Sequence, residues 1–236
     1  MIKWLEDAVF YEVYPQSFRD SNGDGIGDIP GITEKLEYIQ ELGCNALWIN
    51  PCFTSPFYDA GYDVEDYYSV APRYGTNEDL KKLFEAAHQR GMHVLLDLVP
   101  GHTAVTHPWF QESMKAEKNE YTDRYVWTDS LYKRMEDVKG IVSVLRGISP
   151  RPASCGVNCF STQPALNYGF ANITDAGWQQ PTDAPGPMAT REELKNIMRF
   201  WLTLGCDGFR VDMAGSLVKN DEDKKRDDPP VAGCAG

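Results

Sequence analysis

Gly208-Phe209-Arg210-Val211-Asp212 places an arginine and an aspartate two positions apart inside a short apolar run. Side chains alternate faces along a strand, so Arg210 and Asp212 share one face while Phe209 and Val211 share the other. A guanidinium beside a carboxylate keeps that carboxylate ionised at neutral pH. Held at the C-terminal end of a barrel strand, such a carboxylate can act as a nucleophile or stabilise positive charge. The segment by itself equally describes a buried structural ion pair. A helix precedes it, with Leu194, Ile197, Met198, Trp201 and Leu202 as its stripe, and Thr190-Arg191-Glu192-Glu193 reads as its capping box.

Further upstream, apolar runs and helical patterns alternate, the signature of β/α units and a parallel sheet. The runs are Val9 to Pro15, Ala46-Leu47-Trp48-Ile49-Asn50 and His93 to Val99. Between them the spacing predicts a helix over Thr33 to Leu42, with Leu36, Ile39 and Leu42 on one stripe and Gly43 as its stop. A second helix runs from Glu78 to Arg90, with Leu80, Leu83, Phe84 and Ala87 buried and Gly91 beyond it. The stretch from Val99 to Asp212 is far longer than one crossover needs. Residues 1–101 therefore read as three strand–helix units, 102–189 as an inserted subdomain or long excursion, 190–217 as the next helix and strand, and 218–236 as an irregular tail.

Composition limits the function classes. A chain of 236 residues, 42% apolar and 12% aromatic, can bury a sizeable core as one domain. Its 35 acidic against 23 basic residues give a formal charge of -12, which repels phosphate backbones and anionic lipid, so neither nucleic acid nor a membrane surface is an expected partner. With no signal-type apolar region at the start and no stretch long enough to span a bilayer, a cytoplasmic location is the default expectation. The six cysteines form no metal-type pair and read as reduced and mostly buried, with a small Cys155–Cys159 disulfide as the alternative.

The loop from Asp20 to Asp28 carries oxygen donors at alternate positions: Asp20, Asn22, Asp24, the carbonyl of Ile26, and Asp28. Gly25 permits the sharp turn, so the pattern is a cage for a hard cation, Ca2+ or Mg2+. An EF-hand would need a glutamate where Gly31 stands. The bland reading is an Asp/Gly-rich turn without metal.

Several separated motifs now agree: Phe10-Tyr11-Glu12-Val13-Tyr14-Pro15, the Asp20 to Asp28 loop, Gly61-Tyr62-Asp63, Asp97 to His102, Gln163-Pro164-Ala165-Leu166-Asn167 and Gly208 to Asp212. From about Ala8 to about Leu217 the chain resembles the α-amylase superfamily, glycoside hydrolase family 13, and within it the oligo-1,6-glucosidase, α-glucosidase and trehalose-synthase-like branch. The resemblance implies the N-terminal half of a TIM-type (β/α)8 barrel, with a subdomain inserted after the third strand. It also implies a retaining hydrolase or transglycosidase acting on α-linked glucose oligosaccharides. Asp212 would be the nucleophile, oriented by Arg210. Tyr62 would stack on the sugar, Asp63 and His102 would bind its hydroxyls, and Asp97 would support the floor of the site. The cation loop resembles the calcium or magnesium loop of that branch.

Departures matter as much. Gly101 stands where the family usually has asparagine, a calcium ligand in α-amylases proper, and Ala165 where α-glucosidases often have aspartate. The family's general acid and its third carboxylate have no counterparts, since Glu222 is the one glutamate after Asp212 and lies in a run of mixed charge. The isolated chain is therefore expected to be a fragment with little or no activity, as losing general acid catalysis alone costs a factor of about 10² to 10⁴. The alternative from another class is a non-catalytic sugar-binding or transporter-associated relative, which tends to lose the very carboxylates retained here.

Overall fold

The first apolar run forms β1 (Phe10–Val13), and Pro15, whose fixed φ suits a first helical turn, starts the short α1 (Pro15–Phe18) directly after it. The computed structural model describes residues 2–134 and 140–221. Next come α2 (Ile29–Glu34) and α3 (Leu36–Glu41), then β2 (Ala46–Ile49). One helix over Thr33 to Leu42 was expected. The chain instead breaks at Lys35 (φ -106, ψ 9), and Leu42 is exposed while Leu36 and Ile39 are fully buried. The earlier start follows from Asp28, which caps α2 by accepting from Gly31 N, with Pro30 in the first turn.

After β2 the chain makes an antiparallel hairpin of β3 (Phe53–Thr54) and β4 (Asp66–Val70), unforeseen because β3 is only two residues long. Then follow α4 (Asn77–His88) and β5 (His93–Leu98). The four residues predicted as the stripe of α4, Leu80, Leu83, Phe84 and Ala87, are its buried residues, and Thr76 with Asp79 forms a capping box at its start.

The excursion holds α5 (Pro108–Ser113) and a second hairpin, β6 (Ser143–Leu145) with β7 (Cys155–Val157). It has small cores of its own, one around Phe110, Tyr125, Trp127 and Leu166, another around Val126, Ala165, Phe170 and Trp178. Then α6 (Pro185–Leu204) leads into β8 (Gly208–Val211). The expected capping box at Thr190 is not there. The helix starts five residues earlier with proline in its first turn, and the Thr190 hydroxyl donates back to the carbonyl of Gly186.

The strands pair in the order β1-β2-β5-β8, all parallel, as in the N-terminal half of a (β/α)8 barrel. Val13, Leu47, Ile49, Val94, Leu96 and Leu98 point to one face and are buried under α2, α3, α4 and α6. The other face carries Glu12, Trp48, Leu95, Asp97 and Arg210, placed in line by the register Glu12↔Trp48↔Leu95 and Asp97↔Arg210. The expected tail begins too early at 218: Lys219 is buried, donating its backbone N–H to Gly169 O and accepting from Ala171 N. Residues 222–236 of that tail, with Glu222 and Cys234, lie outside the described residues. Cys44, Cys52, Cys155, Cys159 and Cys206 are free thiols. No helix among the described residues is long and apolar enough to cross a membrane.

Candidate active site

Parallel register brings Asp97 on β5 beside Arg210 on β8, and the strand period brings Asp212 to the same face. One guanidinium nitrogen, Nη1 of Arg210, lies 3.1 and 3.2 Å from the two oxygens of Asp97 and 2.7 Å from Oδ1 of Asp212. The guanidinium also sits 4.8 Å from the ring centre of Trp48, which limits its swing. The two carboxylates differ in access: the Asp97 side chain is 0% exposed and that of Asp212 16%. Asp97 Oδ2 further accepts from Trp48 Nε1 at 3.0 Å and from the Tyr62 hydroxyl at 3.1 Å. Burial pushes the Asp97 carboxyl up to about 6, against the pull of Arg210 and these donors. Asp97 is thus a floor that holds Arg210 and Tyr62, and Asp212 is the carboxylate left open to a ligand. Met213, directly after it, is held in the left-handed region (φ 49), a strained conformation for a side chain of its size.

Tyr62 is half-buried, its hydroxyl also accepting from Asn50 Nδ2. Burial and the neighbouring Asp97 charge raise its pKa, so it stays a neutral donor. The loop before it is strained, with Phe57 (φ 59) and Ala60 (φ 51) in the left-handed region. Asp63 is what holds this loop: fully buried, it accepts from Ser55 Oγ, Tyr58 N and Asp59 N. Gly61 completes it, since a Cβ there would stand 2.8 Å from Pro51 O. His102 is also buried, with Nε2 2.9 Å from Tyr62 O and Nδ1 3.3 Å from Asn158 Nδ2. Burial lowers its pKa, keeping the ring neutral. The family resemblance implies sugar-hydroxyl roles for Asp63 and His102; the structure shows both engaged first by protein groups, because the loop they brace is irregular and needs partners for its backbone.

Residues not singled out from the sequence complete the arrangement. Asp59 is half-buried and accepts from Gln163 Nε2 at 2.6 Å. Its charge, with those of Asp212 and Asp63, acts on His102, and with that of Asp212 acts on the half-buried thiol of Cys159. Asp59 therefore faces the same cleft. Its place two residues before the Gly61-Tyr62-Asp63 motif was the available signal. A separate cavity of about 330 Å3 in the subdomain, lined by Trp127, Arg151, Phe170 and Gln179 among others, shares no residue with this cluster. Its amides Asn167 and Gln179 are spent on internal hydrogen bonds.

In the cation loop, Asp20, Asn22 and Asp24 each accept from the backbone N–H two residues on, a ladder of turns that aims their oxygens along the loop. Gly25 and Gly23 also donate to Asp20, holding its carboxyl below the usual range. Asp20 Oδ2, Asn22 Oδ1 and Asp24 Oδ1 each accept one hydrogen bond and keep a second lone pair, a donor chemistry that suits a hard cation, whereas Asp20 Oδ1 accepts two. Asp28 fits less well, its oxygens engaged by Gly31 N and by Ser21 N and Oγ. Among the described residues no three His, Cys, Asp or Glu side chains converge to hold a metal.

The family model for the catalytic domain of alpha amylase matches residues 12–232. An oligo-1,6-glucosidase of Bacillus sp. (strain F5) is 38% identical over 219 residues, covering 93% of this chain and 40% of that protein. The trehalose synthase/amylase TreS of Mycolicibacterium smegmatis is 42% identical over 224 residues, covering 92% and 35%. Among solved structures, the trehalulose synthase MutB from Pseudomonas mesoacidophila MX-45 superposes with a TM-score of 0.74 at 38% identity, covering 89% of this chain and 35% of that one. The chain thus spans two fifths or less of the length of these relatives.

Proposed function

The chain belongs to the α-amylase catalytic-domain family, and on that premise we propose that it carries the nucleophile side of a retaining site for α-linked glucose oligosaccharides. The observation that carries the reading is the single Arg210 nitrogen shared by a sealed carboxylate, Asp97, and an open one, Asp212. Arg210 fixes the direction of Asp212 through the 2.7 Å contact from Nη1 to Oδ1. Asp212 then attacks the anomeric carbon to form a glycosyl ester, which water or a second sugar resolves.

Such a double displacement needs an acid/base carboxylate about 5 Å from the nucleophile. Asp97 does not qualify, being sealed and spent on Arg210, Trp48 and Tyr62. That group belongs, in this reading, to the remainder of a longer protein, as the relatives' lengths support. Tyr62 supplies the stacking face, while Asp59, beside His102 and Asp63, lies where a sugar hydroxyl would be bound. The Asp20 to Asp28 loop is proposed to hold Ca2+ or Mg2+ through Asp20, Asn22, Asp24, the Ile26 carbonyl and Asp28, as a structural ion.

The experiment compares hydrolysis of p-nitrophenyl α-glucoside and maltotriose by the 236-residue chain and by a version extended through the rest of the barrel. Activity is expected only in the extended protein, and Asp212→Asn there should lower kcat by roughly 10⁴-fold or more. Unchanged turnover in that variant would refute the nucleophile assignment. Binding of maltotriose without turnover by the extended protein would favour a non-catalytic module.

A further inference from the structure

Lys219 is a buried ammonium in a chain whose other site groups are mostly carboxylates. It is 5% exposed, and its Nζ donates to Asn158 Oδ1 at 3.0 Å and to the carbonyl of Ser216 at 2.6 Å. Asn158 (3% exposed) and His102 (1%) continue the chain of contacts inward to the carbonyl of Tyr62. Burial brings Lys219 down to about 8, so near neutral pH the group is still predominantly an ammonium, with three donors and no acceptor.

That chemistry decides every proton along the line. A donor-only group can face only the oxygen of the Asn158 amide, so the Asn158 nitrogen must face His102. An amide nitrogen can only donate, so Nδ1 of His102 must be the bare acceptor. The imidazole proton then sits on Nε2, which donates to the Tyr62 carbonyl at 2.9 Å. We propose that Lys219 is a positioning residue of the site, fixing the Asn158 amide so that its nitrogen donates to Nδ1 of the His102 form that the Tyr62 carbonyl requires, and so bracing the loop that presents Tyr62. This rests on the reading of the cleft as a glycosidase site only for its consequence, not for its geometry.

Gly101 is independent support. A Cβ on it would lie 2.6 Å from Asn158 Nδ2, so the missing side chain is what lets the subdomain's asparagine reach His102. The departure from the family pattern at Gly101 is thereby explained. Lys219 itself is stitched to the subdomain through Gly169 and Ala171. The charged and titratable neighbours of the line are Cys159 beside Lys219 and Asp59, Asp63 and Asp212 around His102.

The test reads imidazole nitrogen chemical shifts by long-range proton–nitrogen NMR on the 236-residue chain at neutral pH. Wild type is expected to show His102 as one neutral tautomer with the proton on Nε2; a proton on Nδ1 overturns the proposal. Lys219→Met is expected to leave the proton on Nε2, where the Tyr62 carbonyl requires it, but to shift the Nδ1 resonance as the Asn158 amide loses its fixed partner; a folded variant with both His102 nitrogen shifts unchanged overturns the proposal as well. Should Lys219→Met fail to fold, Asn158→Asp decides. It keeps the size and the lysine partner but offers only acceptors, so a proton must appear on Nδ1 beside the one the Tyr62 carbonyl holds on Nε2, and a ring that still has a bare Nδ1 refutes the line. No turnover enters the readout, so failure of the glycosidase reading would be seen separately, in the Asp212→Asn comparison.

Discussion

Asp97 shows burial and pairing in opposition at one carboxylate, with burial the larger effect. Removing its charge from water is unfavourable, and Arg210, Trp48 and Tyr62 offset only part of that, which leaves the group at about 6. In the unfolded chain an aspartate titrates near 3.9. The native state therefore takes up this proton first. The stabilisation from that preference is fullest below about pH 4 and is lost as pH rises through about 6. Asp97→Asn has no such proton to gain. The stability of wild type relative to Asp97→Asn should consequently fall between pH 4 and pH 7.5, by at most about 3 kcal/mol. Urea midpoints at both pH values measure it, and a constant difference would mean that Asp97 is not strained toward its neutral form.

At the scale of elements, what the sequence made legible was periodicity, and what it hid was local bonding. The stripe Leu80, Leu83, Phe84, Ala87 read correctly because α4 is long enough for a 3.6-residue period to show. The start of α6 was misread because Thr190 with Glu193 imitates a capping box, whereas proline in the first turn fixes the true start and Glu193 is spent on the Tyr68 hydroxyl. The hairpin of β3 and β4 was too short to show a period of two. The Asp20 to Asp28 loop was legible as chemistry, but Asp28 had a second use, as the cap of α2, that alternation of oxygens could not reveal. A cation there would bind the folded loop and not the unfolded chain, so millimolar Ca2+ should raise the melting midpoint relative to chelator. Asp20→Ala should abolish that increment. No shift between the two conditions would remove the loop as a site for a resident ion.

For the whole molecule, the parallel order of four strands was readable from alternating apolar runs, and the face that carries the site from the spacing of Arg210 and Asp212 alone. Asp59 and Lys219 were not, because their roles depend on contacts across long sequence separations, to Gln163 and Asn158. The order β1-β2-β5-β8 leaves β1 and β8 each paired on one side only among the described residues. Phe10 and Val211 on these edges are exposed, at 39% and 41%, as is Glu12 on the face that carries the site. An unpaired apolar strand is a template for another chain, whereas a closed barrel has no edge. The 236-residue chain should therefore self-associate at roughly 10–100 µM, as sedimentation velocity would show. Val211→Lys, which puts a charge on the β8 edge, should weaken that association, and extension through the relatives' remaining length should abolish it. A chain that stays monomeric throughout that range would show that its edges are already protected, and the open-sector account of the fold would fail.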